Sequence, residues 1–118
     1  HREVRVFDTR FYLADLGTGA VELLVDDTEN THLFWASAAG ALDLAEQGQI
    51  KVIFPTRRNL ERLAMFSNFD EAVSHVAEYP VRMITPFMEI ENGEPWLKID
   101  ADAGYPITGE KLETAARG

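Results

Sequence analysis

The stretch 32–66, HLFWASAAGALDLAEQGQIKVIFPTRRNLERLAMF, constrains the fold most, because nearly every boundary in it carries its own punctuation. Residues 32–35 are short, aromatic and apolar, the composition of a strand. Ser37 then offers a hydroxyl to the free N–H groups of a helix starting at Ala38, and Gly48 can close that helix in the left-handed conformation. A second apolar run, 50–54, ends at Pro55-Thr56, where a proline without an N–H and a threonine cap predict another helix start. Leu60, Leu63 and Ala64 follow at helical spacing.

On either side the pattern continues. Residues 4–16, VRVFDTRFYLADL, alternate as one long strand, with Phe7, Phe11 and Leu13 on one face and Val6, Asp8, Arg10, Tyr12 and Ala14 on the other. Asp8 and Arg10 read either as a solvated ion pair or as two charges beside a cleft, where the arginine fork holds a phosphate or carboxylate. Gly17-Thr18-Gly19 is a turn into a second strand over 20–25, and the acidic loop Asp26-Asp27-Thr28-Glu29-Asn30 leads to His32. Those carboxylates suit a divalent cation or plain solvated turn chemistry, and their spacing matches no calcium loop.

Beyond residue 66, Asn68 and Glu71 form a capping box for a third helix, with Ala72, Val73, Val76 and Ala77 as its apolar stripe and an end before Tyr79-Pro80. His75 lies off that stripe and is expected to be exposed. Residues 81–90 are strand-like, and Asn92-Gly93 demands a two-residue hairpin that sets Glu91 opposite Glu94, Ile90 opposite Pro95, Glu89 opposite Trp96 and Met88 opposite Leu97. Glu89 and Glu91 are then either paired carboxylates for metal or acid–base work or the polar outer face of an antiparallel hairpin, and the outer face is favoured. After Asp100 the periodicity fades, so residues 101–118 are expected to be a terminal turn and a polar tail or short helix.

Length and charge bound the function. The 118 residues make about one small domain, and no run approaches the ~20 apolar residues of a membrane span. The first ten residues are not a signal peptide, and the lack of cysteine fits a reducing, cytoplasmic location. A formal net charge of −9 argues against binding a nucleic-acid backbone, which draws on lysine and arginine. It leaves room for a phosphate-bearing small molecule held by a few local cations or a metal. The chain opens inside strand-like sequence with no cap or turn before it, which reads as a start in mid-domain.

The chain has no G-x-S-x-G elbow, no G-x-x-x-x-G-K, no H-E-x-x-H and no G-x-G-x-x-G. What it does have is an order of pieces: FDTRFYLADL, an acidic loop, HLFWAS, AAGALDLAEQG, FPTRRNLERLAMF, and later TPFMEIENGEPWLKIDADAGYPIT. That order resembles the C-terminal part of a Nudix hydrolase domain, closest to the branch of acyl-coenzyme A diphosphatases, and covers nearly the whole chain. The resemblance implies an α/β fold, a mixed sheet with packed helices, as one partial domain over residues 1–118. It implies metal-dependent hydrolysis of a nucleoside-diphosphate-linked substrate such as a coenzyme A derivative.

The glutamate-rich Nudix box, with its R-E-x-x-E-E core that binds Mg²⁺ or Mn²⁺, is absent from residues 1–118. Its ligands are therefore expected upstream of His1, and the chain alone is expected to be inactive. The resemblance further implies that Arg10 contacts a substrate phosphate, that Glu29 stands where some members keep a base outside the box, and that Phe54, Arg57 and Arg58 line the nucleotide or coenzyme end. Arg57 and Arg58 fall in the first turn of a helix, where positive charge opposes the dipole, so an anionic contact or a solvated face accounts for them. A non-catalytic binding module of the same fold is the competing expectation. A homodimer completing the exposed sheet edges is a third.

Overall fold

The computed structural model describes residues 9–15 and 35–117, and the chain divides into two compact units, His1–Phe34 and Trp35–Gly118. In the first unit, residues 9–15 carry no regular secondary structure and are exposed. This part of the expected long strand does not form a strand, since alternation marks a face but ladder hydrogen bonds need a neighbour. The rest of that strand, the strand over 20–25, the acidic loop and residues 32–34 lie outside the described residues.

The second unit begins where the capping chemistry predicts. Helix α1 spans Ala38–Glu46, and the Ser37 hydroxyl accepts from the Gly40 N–H at 3.0 Å. Its end is a Schellman closure. Gly48 has φ +75°, its N–H donates to the Ala45 carbonyl at 3.1 Å, and the Gln49 N–H donates to that of Leu44 at 2.9 Å.

Helix α2, Phe54–Leu63, starts three residues earlier than a cap at Thr56 would place it. Ile53 is its cap residue and has no side-chain acceptor, and Pro55 sits in the first turn, where a missing N–H costs nothing. Starting early carries Phe54 into the core at 5% exposure, beside Val52 at 6%. Helices α1 and α2 pack against each other.

Helix α3, Phe69–Glu78, is opened by Asn68, whose side chain accepts from the Glu71 N–H at 2.9 Å. It ends where Tyr79 leaves helical geometry before Pro80. Its packing departs from expectation. Ala72 is buried and His75 half-buried, whereas Val73 and Val76 are exposed, so the helix turns inward a face beside its apolar stripe.

Strands β1, Phe87–Glu91, and β2, Glu94–Lys98, form the hairpin in the expected register, Glu91 opposite Glu94 through Met88 opposite Leu97. Asn92 and Gly93 take φ of 51° and 79°, the two positive values that this turn requires. Residues 81–86 stay outside the strand, because Pro86 cannot donate to a ladder. The region expected as a tail adds strand β3, Gly109–Lys111, antiparallel to β2, and helix α4, Leu112–Arg117, which packs on β2 and β3. The Ile99 N–H extends the β2–β3 ladder by donating to the Thr108 carbonyl at 2.8 Å, and Ile99 and Ala103 are core residues. Among the described residues the fold is thus four helices with a three-stranded sheet, order β1-β2-β3, in which every pairing is antiparallel.

Candidate functional site

Two clusters join parts of the second unit that are distant in sequence. The first centres on Arg58. Alternation along β1, β2 and β3 puts Leu97 and Glu110 on one sheet face, and Arg58 reaches Glu110 from α2. Its Nη2 donates to Glu61 Oε2 at 2.9 Å, its Nε lies 2.7 Å from Glu61 Oε1, and its Nη1 lies 3.3 Å from Glu110 Oε1. The guanidinium also stacks over the Phe54 ring, 4.8 Å from its centroid. At 3% exposure a cation needs such counter-charges, and of the fork's nitrogens Nη2 makes a hydrogen bond while Nε and Nη1 meet carboxylate oxygens as ion pairs outside hydrogen-bond geometry. Phe54 and Arg58 are therefore brought together, but they engage each other in the interior.

Arg57 behaves differently. It is about one-fifth exposed, and its Nη1 donates to Glu46 Oε1 at 3.0 Å across the α1–α2 connection. Glu46 is itself largely exposed, so an anion competing for Arg57 has only a surface pair to displace. Arg10 lies in the first unit and is exposed, and Glu29 lies outside the described residues.

The second cluster is one that sequence reasoning missed. The His75 ring lies between Phe66, with centroids 4.9 Å apart, and Tyr79, 4.7 Å apart. Its Nδ1 faces Arg62, 3.4 Å from Nε and 3.3 Å from Nη2. Both guanidinium nitrogens are donors, so Nδ1 is the acceptor and the neutral ring carries its hydrogen on Nε2. Burial and the Arg62 charge hold the His75 pKa below its ordinary 6.5, against an upward pull from Glu78. The Arg62 guanidinium lies 4.9 Å from the Tyr105 ring centroid, and the Tyr105 hydroxyl donates to Asn59 Oδ1 at 3.2 Å.

Gly104 closes this cluster with φ +95°, and a Cβ there would stand 2.9 Å from Tyr79 Cγ and 3.0 Å from His75 Cε1. Only glycine permits both the conformation and the approach. One sequence signal pointed here, since His75 and Tyr79 are four residues apart and share a helix face. An open groove of about 600 Å³ runs between the Met65-Phe66 turn and the α3 residues Glu71, Ser74, His75 and Glu78.

The hairpin carboxylates are held by a lysine, and the apolar face expected to be covered is open as well, with Met88 62% and Ile90 67% exposed. Lys98 reaches Glu89 at 3.3 Å and Glu91 at 2.8 Å, all at the surface, and the contact with Glu91 above all raises the lysine pKa. Arg82 likewise joins Asp100 and Asp102, and its hydrogen bond lowers the Asp102 pKa. Among the described residues, no group of three or more His, Asp or Glu side chains is placed to hold a metal ion. No helix among them is long and apolar enough to cross a membrane. No protein-family model, no curated protein and no solved structure matches the chain.

Proposed function

We propose that these residues are the scaffold of a Nudix-type hydrolase, which cleaves a nucleoside-diphosphate-linked substrate such as a coenzyme A derivative. The observation that carries the reading is the order of its pieces, from FDTRFYLADL through HLFWAS and FPTRRNLERLAMF to TPFMEIENGEPWLKID. Support comes from the α1–α2 connection, where the partly exposed Arg57 is paired with Glu46, a largely exposed carboxylate. A substrate phosphate replacing Glu46 would meet a fork suited to two oxygens and would gain charge-assisted hydrogen bonds. Arg58, turned inward, would hold α2 against the sheet and so fix where Arg57 stands. Phe54 would act with Arg58 in that role.

In this reading the residues described supply substrate contact and position, and the carboxylates that hold Mg²⁺ or Mn²⁺ belong to other residues of the protein. The test is product release from coenzyme A and nucleotide-sugar diphosphates by the intact protein with and without Mn²⁺. Metal-dependent cleavage, with a higher KM and an unchanged fold in Arg57→Ala, is the expected result. Binding of the same compounds without cleavage would favour the non-catalytic module, and neither binding nor cleavage would end the reading.

A further inference from the structure

We propose that His75 is a proton-operated latch, whose neutral ring joins α2 and α3 to the loop around Gly104 and Tyr105 and whose protonation in mildly acidic solution releases that loop. The inference is independent of the proposed hydrolase activity. It starts from how many elements meet at one imidazole. Helix α2 contributes Arg62, the turn after it contributes Phe66, α3 contributes the carboxylate of Glu78 with Asp70 and Glu71 lining the groove beside it, and the residue that ends α3 contributes the Tyr79 ring. The loop after β2 contributes the Gly104 backbone and the Tyr105 ring against which Arg62 lies.

The contact works with one protonation state. A lone pair on Nδ1 accepts from Arg62 at 3.3 to 3.4 Å; a proton there sets two donors and two positive charges against each other at the same distance. Glu78 favours the imidazolium, but burial and the Arg62 charge outweigh it. Arg62 is then the group that moves, and it is packed against both Gly104 and Tyr105, so its departure removes one of the contacts that seat the loop and leaves the Tyr105–Asn59 hydrogen bond to hold it. Because the fold favours the neutral ring, the latch is closed above the ordinary histidine pKa of about 6.5 and its stabilisation is lost as pH falls through the lower folded value.

The test is an NMR titration of the intact protein, following the His75 ring together with hydrogen-exchange protection of the Gly104 and Tyr105 amides. The expected result is a His75 midpoint below 6.5 and loss of loop protection with that same midpoint. Arg62→Met should raise the midpoint and leave loop protection insensitive to pH. Glu78→Gln, an exposed change that leaves the packing intact, should lower the midpoint and move the loop transition with it. A His75 midpoint at or above 6.5, or loop protection that stays constant while His75 titrates, overturns the latch.

Discussion

Helices α2 and α3 have ten residues each and both are amphipathic, yet their apolar residues meet different fates. Helix α2 hides a guanidinium, Arg58, beneath Phe54 and between two carboxylates, whereas α3 leaves Val73 and Val76 in solvent and draws in a histidine. The difference lies in their neighbours. Facing α2 stands Glu110 on the sheet, which makes a buried cation affordable; facing α3 stand Arg62, Phe66 and Gly104, which fit an imidazole better than a branched aliphatic chain. Apolar spacing tells which residues share an arc, and the partner elements select the arc that is packed.

The comparison breaks most visibly at Arg58. Arg58→Met strands Glu61 and Glu110 near the core without a counter-charge, and should cost about 3–5 kcal/mol in urea unfolding. Arg58→Lys should recover only part, because a point charge cannot serve both carboxylates and the Phe54 face. A loss near zero for either variant would mean that the cluster is solvated and that α2 is not built around it.

On the α3 side the largest effect belongs to the loop that closes the cluster. Gly104→Ala combines a positive φ with a Cβ 2.9 Å from Tyr79 Cγ, and should cost roughly 1–3 kcal/mol by thermal or urea unfolding. Asn68→Ala removes the acceptor of the Glu71 N–H and should cost about 1 kcal/mol, read as a shift of the same unfolding midpoint. The smallest effect sharpens the contrast. Val73→Ser and Val76→Ser should each change stability by no more than about 0.5 kcal/mol, and a loss several times larger would show that the stripe is covered in the intact protein.

Some of this fold was legible in residues 35–117 because it is local. Ser37 and Gly48 bracket α1, Asn68 opens α3, and Asn92-Gly93 sets the hairpin register, each through backbone chemistry completed within a few residues. Strand β3 was not legible, because its three residues, Gly109, Glu110 and Lys111, show no alternation and become a strand only by pairing with Trp96, Leu97 and Lys98. The candidate site divides the same way. Arg57 and Arg58 are adjacent and chemically identical, and nothing in their spacing separates the surface fork from the buried one. His75 was expected to be exposed and is half-buried, since its partners Arg62 and Gly104 are far along the chain and carry no motif.

The amino-acid order by itself determined where α1 and α3 begin and end and how the hairpin pairs, since those caps and turns are satisfied by groups a few positions away. Which side of α3 is packed, which of two arginines is buried, and what protonation state His75 must keep were decided only in three dimensions. Burial and charge depend on what lies across the gap, and for Arg58 and His75 that is Glu110, Arg62 and Gly104, supplied by other elements of the fold.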